Sequence, residues 1–397
     1  MGSQIQFKFN LTAISIGIAI FSMFFGAGNV VFPLILGYQA GEHLPFALIG
    51  LLLTAIGGPL LGLFGTILFK GDCKQFFQRI GTWPSYLVVL LIMALIGPLG
   101  GMPRCFIVSY GAIAPYLGDI SLFWFSLLAG AVVMLSIIQR KFILPLLGWF
   151  LSPLLVMALI IIIVKGLISF TSPMPVNISA WQAFTQGLGI GFDTMDLLAS
   201  ILFAVVIWDL LKEKLMVQAH DTSLAEIAAI CCMASLIGGT LLGLIYVGLS
   251  SVATGNMEVL HAVPKEFMLS ALAVQVLGEK LAFVANIAIA LACLTTVISL
   301  AVTIADVIKV EFDASPLGQR CSLHYGGLTL SIVWLTVVMS NLGFDRLMLY
   351  LHPVIALFYP AIIVLTICNI LYKLYNFKLV KLPFYITLAG TLGYRLL

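Results

Sequence analysis

The segment FSMFFGAGNVVFPLILG, residues 21–37, decides the fold. It closes an apolar run over 10–36, and about 20 apolar residues suffice to cross the ~30 Å hydrocarbon core of a bilayer. Within that run a glycine-rich tetrad at Gly26, Ala27, Gly28 and Asn29, then Pro33, interrupt the helix. A helix in lipid must satisfy its own backbone N–H and C=O groups, so such an interruption needs a protein-lined cavity. The reading is of a membrane span broken around a site.

A second segment repeats the pattern. Gly187, Gly189 and Gly191 alternate with apolar residues and lead into Phe192, Asp193, Thr194, Met195 and Asp196, again inside an apolar run. Composition agrees with a membrane-embedded chain. Hydrophobic residues make up 62% and charged residues 9%, against roughly 25% charged in soluble domains. Blocks 80–103, 143–164, 281–305, 322–344 and 347–372 carry no Asp, Glu, Lys or Arg. Barrel strands would give alternating segments of about 10 residues instead, which excludes a β-barrel. Residues 10–36 lead into further spans rather than a soluble body, so no cleavable signal peptide is expected.

Eleven spans are expected: 10–36, 45–69, 83–112, 121–138, 142–165, 183–208, 225–250, 273–307, 323–341, 347–371 and a short 382–397. Lys8, Lys70, Lys74, Arg79, Arg140, Lys141, Lys212, Lys214, Lys309, Arg320, Lys373, Lys378 and Lys381 then fall on the N-terminal side. Lys165, Lys265, Lys280, Arg346 and Arg395 fall on the other, and Arg104 falls inside a span. A bias of 13 to 5 among the 19 Lys and Arg puts the N-terminus in the cytoplasm. The long external loop 251–272 is expected to hold a short interfacial helix.

The breaks fall in the first and sixth spans. Paired interrupted helices in corresponding positions are the mark of secondary transporters built from inverted repeats. The fold expected is an all-α polytopic membrane protein: one transmembrane domain over 1–397, a first repeat over 10–165 (spans 1–5) and a second over 183–371 (spans 6–10). Segment 382–397 stands outside this five-plus-five core. Half-helix N-termini would offer N–H groups to a carboxylate, and freed carbonyls would take an ammonium or a cation. The plainer reading, that glycines only pack neighbouring helices, suits Gly58, Gly62 and Gly65 of span two better.

Asp193 and Asp196 beside the second break must face a polar cavity, because a mid-bilayer carboxylate costs about 2.5–3.5 kcal/mol. Asp193 or Thr194 also suits capping of the following half-helix, and Asp196 is assigned a gating or structural role. Arg104 is assigned a buried structural or gating role, and Glu42 a place at the external mouth. Thr295, Thr296 and Ser299 offer hard oxygen donors, although such hydroxyls also bond to their own helix. A net charge of +3 with no basic patch excludes nucleic acid as an expected partner. Seven cysteines lack metal-ligand spacing, and no nucleophile–base set or phosphate loop occurs, so neither a cofactor nor enzymatic activity is expected.

The run Phe25 to Pro33, continuing through Gly37 to Glu42, resembles the signature of the branched-chain amino acid:cation symporters, bacterial carriers of leucine, isoleucine and valine. Gly97-Pro98 with Pro103-Arg104, Ala114-Pro115, Gly118-Asp119, Thr194 to Leu197, Cys293 to Thr296, Ser340 to Gly343 and Tyr359-Pro360 are similar to its later motifs. The resemblance covers nearly the whole chain and implies a sodium-symporter-like inverted-repeat fold. It implies that Gly26 to Asn29 and Gly191 to Thr194 line the substrate site, and Gly189 is assigned with them. It also implies that the Phe25 and Gly28 carbonyls, with Thr295, Thr296 and Ser299, hold sodium. The family usually has an acidic residue after the pair Ser109-Tyr110, where this chain has Gly111, and usually twelve spans.

The function these readings imply is import of L-leucine, L-isoleucine and L-valine with sodium across the bacterial inner membrane, by alternating access. A carrier of another neutral amino acid, coupled to sodium or protons, is the alternative. A channel or a non-transporting sensor is the alternative of another class. Oligomeric state is left open.

Overall fold

The computed structural model describes residues 2–138, 152–169, 173–216, 224–313 and 324–396. Arg140, Lys141, Arg320, Cys321, residues 142–151 of span five and residue 323 of span nine lie outside the described residues, as do the side chains of Lys8 and Arg395. The described chain is helical, without strands. Among the described residues, six stretches are long and apolar enough to cross a membrane: Ala27–Ile67, Thr82–Leu117, Ala180–Lys214, Glu226–Thr254, Glu279–Asp313 and Phe344–Tyr375. Four shorter apolar helices accompany them, Leu11–Phe24, Leu122–Ile138, Leu154–Ile168 and Tyr325–Ser340.

The first expected span is two helices, α1 (Gly2–Phe24) and α2 (Ala27–Ala40), parted at Gly26, whose backbone is extended (φ −130°, ψ −172°). Span two is α3 (Leu44–Leu52) and α4 (Gly58–Ile67), joined by a π-turn over Leu53–Gly57. Pro59 has no N–H for the carbonyl of Ala55, and the wider turn absorbs that missing bond. After α5 (Cys73–Gln78), capped by Asp72, come α6 (Thr82–Ile96) and α7 (Gly101–Leu117).

Helices α6 and α7 correct the reading of 83–112 as one continuous span. Gly97 (φ −86°, ψ −127°) and Gly100 (φ −140°, ψ −73°) leave helical geometry, and Pro98 between them lacks a donor. The chain therefore carries a third break. Next are α8 (Leu122–Ile138), α9 (Ser152–Ile168), α10 (Ala180–Asp193) and α11 (Asp196–Met216). Helix α10 starts in a capping box, Ser179 Oγ accepting from Gln182 N–H at 3.2 Å and Gln182 Oε1 from Ser179 N–H at 2.8 Å.

The remainder is α12 (Leu224–Thr254), α13 (Met257–His261), α14 (Met268–Leu277), α15 (Glu279–Asp313), α16 (Tyr325–Ser340), α17 (Phe344–Tyr375) and α18 (Lys381–Leu396). Helix α13 is the short helix expected in the 251–272 loop. Span eight starts later than the expected 273, because Gly278 (φ 77°) turns the chain and sets α14 apart from α15. Helix α18 lies against α17, with Phe384 buried and the Tyr385 hydroxyl donating to the Ile80 carbonyl at 3.0 Å.

The packing is reciprocal. Both halves of the first broken helix, α1 and α2, lie along α12, and both halves of the second, α10 and α11, lie along α3 and α4. Each broken helix thus rests on the second helix of the other half of the chain. Between lipid-embedded helices close approach and hydroxyl bonds, not burial from water, supply the attraction. A Cβ at Gly37 would sit 2.1 Å from the Ser250 carbonyl oxygen, and one at Gly187 would sit 2.0 Å from that of Ala47. Hydroxyls cross the same two seams. Ser250 donates to the Pro33 carbonyl at 2.8 Å and Thr254 to that of Gly37 at 2.9 Å, while Thr54 donates to that of Leu188 at 3.1 Å. Helix α7 packs along α15, which brings the third break beside the other two.

Candidate functional site: two facing helix breaks around a central cavity

The first break is held by one side chain. Asn29 Oδ1 accepts the Gly26 N–H at 3.2 Å, which turns its amide nitrogen outward to donate to Asp196 Oδ2 at 2.8 Å. The same nitrogen meets the hydroxyl of Tyr246, and that hydroxyl donates to Asp196 Oδ2 at 3.0 Å. Asn29, Tyr246 and Asp196 are all buried, from α2, α12 and α11. The two breaks are therefore tied together through one carboxylate oxygen.

The second break falls at Thr194 and Met195, not at the glycines before it. Met195 adopts φ 62°, a left-handed conformation unusual for a non-glycine residue. Thr194 Oγ1 donates to the Gly191 carbonyl at 2.9 Å. Asp196 then occupies the first turn of α11, where a negative charge meets the positive end of the helix. At the opposite stub, Arg104 Nη1 donates to the Asp193 carbonyl at 2.6 Å and puts a cation on the negative end of α10. Both ends of this break are thus answered by the chain's own charges. The first turn of α2, at Ala27 and Gly28, has no such charge in its helix.

A cavity of about 450 Å³ lies between the breaks. It is lined by residues 22–29, Arg104 and Cys105, residues 194–196, Phe203, and Thr295, Thr296, Ser299 and Thr303. Thr295 and Thr296 give their protons to the Ala292 carbonyl at 2.8 and 3.0 Å, which leaves their oxygens as acceptors. Thr296 borders the first break, its methyl 3.9 Å from where a Gly26 Cβ would be. A separate cavity of about 1000 Å³ is lined by Tyr38, Gln39, Gly189, Asp193, Glu258, His261 and His352 among others.

Only one layer parts the two cavities, since Asp193 lines one and Thr194 the other. His352 Nδ1 of α17 lies 2.8 and 3.0 Å from the Asp193 carboxylate oxygens. The Arg104 guanidinium lies 5.3 Å from the centroid of the Phe32 ring, and Phe32 lies 6.1 Å from Phe344.

Of the expected site residues, the central cavity gathers Phe25, Gly26, Ala27, Gly28, Asn29, Arg104, Thr194, Asp196, Thr295, Thr296 and Ser299. It does not gather the others. Gly189 and Asp193 line the second cavity. Gly191 is packed on α3's continuation, where a Cβ would sit 1.9 Å from Thr54 Oγ1, and Phe192 lies against Tyr359 with centroids 4.7 Å apart. Glu42 is exposed beside His43 and lines neither cavity. Tyr246, His352 and Met195 are among the residues that the sequence reading did not assign to the site, as is Phe203 on the cavity wall. A tyrosine and a histidine inside otherwise apolar runs were the available signals. At Gly111 a Cβ would lie 2.0 Å from the Glu266 carbonyl oxygen, so no side chain fits.

Residues 10–394 match the family model for branched-chain amino acid transport proteins. The chain is 30% identical over 362 residues to the branched-chain amino acid permease BrnQ of Salmonella typhimurium, covering 90% of this chain and 79% of that one. It is 30% identical over 370 residues to the branched-chain amino acid transport system 3 carrier protein of Pseudomonas aeruginosa, covering 89% and 79%. The permease BraB of Bacillus subtilis is 28% identical over 372 residues, covering 91% and 80%. Among solved structures, a Na+-coupled sialic acid symporter superposes with a TM-score of 0.57 at 12% identity, over 97% of this chain and 90% of that one. A manganese transporter of Eremococcus coleocola superposes with a TM-score of 0.55 at 15% identity, over 96% and 84%. At those identities the likeness is one of fold. The chain belongs to the branched-chain amino acid transport protein family, a family of transporters rather than enzymes.

Proposed function

We propose that this protein imports leucine, isoleucine and valine with sodium by alternating access in the bacterial cell membrane, its N-terminus in the cytoplasm. The observation that carries the reading is the central cavity, where both expected breaks and the hydroxyls of α15 meet behind a single-layer partition from a second cavity. The substrate's polar head lies at Gly26 to Asn29 and Thr194, with its aliphatic side chain toward Phe25 and Phe203. An apolar pocket discriminates one methylene by only about 1–3 kcal/mol, so the three substrates overlap. Sodium is held by the Phe25 and Gly28 carbonyls with Thr295, Thr296 and Ser299, a set of hard, neutral oxygens. Arg104, Asp193 and His352 form the gate toward the second cavity.

In this reading spans 1–5 (10–165) and 6–10 (183–371) form an inverted pair, which the reciprocal packing of the broken helices supports. Segment 382–397 is an eleventh span outside the transport core. Proton coupling is the second reading, favoured by one observation: Asp196 is a buried carboxylate on the cavity wall. Leucine accumulation in proteoliposomes, driven by a sodium gradient or by a proton gradient, separates the two. No accumulation of leucine under either gradient refutes the proposal, and flux without accumulation indicates a channel.

A further inference from the structure

The central cavity contains one cation and one anion that do not pair. Among the residues lining it, Arg104 and Asp196 alone carry full charges, and neither forms an ion pair among the described residues. Arg104 is only 4% exposed, and its single protein acceptor is the neutral Asp193 carbonyl. Its Nε is buried without any hydrogen-bond partner. A guanidinium with an unused donor, removed from water, is a costly arrangement unless an anion completes it. Asp196, also 4% exposed, receives two neutral donors, the Asn29 amide and the Tyr246 hydroxyl, and both reach the same oxygen, Oδ2.

A cavity with one charge of each sign, each lacking an ion-pair partner among the described residues, best receives a ligand that is neutral overall but charged at both ends. Resting on the substrate reading above, we propose that Arg104 and Asp196 are the specificity-determining pair for the zwitterionic head group. Arg104, which lines the same cavity as Ala27 and Gly28 in the first turn of α2, takes the substrate's carboxylate. Asp196 takes its ammonium. The arrangement excludes ligands carrying only one of the two charges, because each would leave the opposite protein charge buried and unanswered. It also moves the carboxylate off α11, whose N-terminus Asp196 already occupies.

The test uses the purified full chain in detergent with sodium present. A thermal-shift screen of neutral amino acids identifies ligands, and competition against labelled leucine compares leucinamide (no carboxylate) with 4-methyl-2-oxopentanoate (no ammonium). Each analogue is expected to bind at least about 100-fold more weakly than leucine. Arg104→Gln is expected to weaken leucine by about 100-fold yet leave leucinamide within about threefold of its wild-type affinity. Asp196→Asn mirrors this, sparing only the keto acid. Arg104→Lys, which keeps the charge but not the planar fork, is expected to fall between wild type and Arg104→Gln. A purely structural role would weaken all three ligands alike. Leucinamide or the keto acid binding to wild type within tenfold of leucine overturns the pair, even where no variant folds. Leucine failing while another amino acid binds refutes the substrate reading and leaves the pair standing, its amide and keto acid then deciding. No shift with any amino acid overturns both.

Discussion

Asn29 offers the sharpest test of how the two breaks are joined. It accepts the Gly26 N–H at 3.2 Å and donates to the Asp196 carboxylate at 2.8 Å. Asn29→Ala removes two neutral bonds, to Gly26 and Tyr246, about 1 kcal/mol each, and a charge-assisted one, about 1.5–3 kcal/mol, for a loss of roughly 3.5–5 kcal/mol. Asn29→Asp is expected to cost more, because it sets a second carboxylate against the first, and two buried carboxylates at that separation cannot both stay ionised. Exchanging the partners, Asn29→Asp with Asp196→Asn, restores one carboxylate and one amide across the gap. The double variant is then expected to recover at least about 2 kcal/mol over the sum of its singles. The assay is reversible unfolding in mixed micelles, read as a double-mutant cycle. Additivity within about 0.5 kcal/mol would refute the idea that this contact bridges the breaks.

Three further predictions concern other parts of the molecule. Thr296→Val keeps the shape but removes an acceptor at the proposed sodium site, so half-saturation by sodium in leucine uptake is expected to rise about tenfold or more, while leucine affinity at saturating sodium stays within about threefold; unchanged sodium dependence removes Thr296 from the ligands. Gly187→Ala places a methyl 2.0 Å from the Ala47 carbonyl oxygen, which forces α10 from α3; a loss of about 1–3 kcal/mol or more and of transport is expected, and unaltered thermal stability would contradict the seam. Burial, aided by nearby Asp345, raises the pKa of Glu266 in the 251–272 loop. A carboxyl whose folded pKa is raised stabilises below the unfolded pKa and loses that contribution as pH rises through the folded value. Glu266→Gln is therefore expected to gain stability relative to wild type as pH rises through and above the usual carboxylate range, with little difference below it; a pH-independent gap between the two melting curves counts against this.

The sequence made the membrane class and the first break legible because both are local. Apolar length identifies a span, and Gly26 to Asn29 interrupts one at mid-depth. The second break was legible as a segment, Gly187 to Asp196, but not as a turn within it, because glycine serves two purposes. Gly187 and Gly191 let α10 approach α3, whereas the backbone turns at Met195, a residue with no turn propensity that tertiary packing holds at φ 62°. The third break was missed although Gly97, Pro98 and Gly100 were in view, since glycine and proline are common in membrane helices that stay continuous. Thr295, Thr296 and Ser299 were paired with the first break only through the family resemblance, and the fold brings them to the same cavity. Tyr246 and His352 required three dimensions: Tyr246 acts on an aspartate 50 residues away in the chain and His352 on one 159 away.

Met195 also links parts of the molecule that the sequence keeps far apart. Its Cε lies 3.2 Å from where a Gly100 Cβ would stand, so the turn between α6 and α7 and the turn between α10 and α11 share one interlocked contact. Arg104 begins one turn beyond the first of these, and Asp196 begins directly after the second. The two charges on the cavity wall are thus mounted on helices that leave two touching turns. A displacement of either turn would alter the span between guanidinium and carboxylate. A side chain at position 100 would press on Met195 and so disturb both turns without touching either charge.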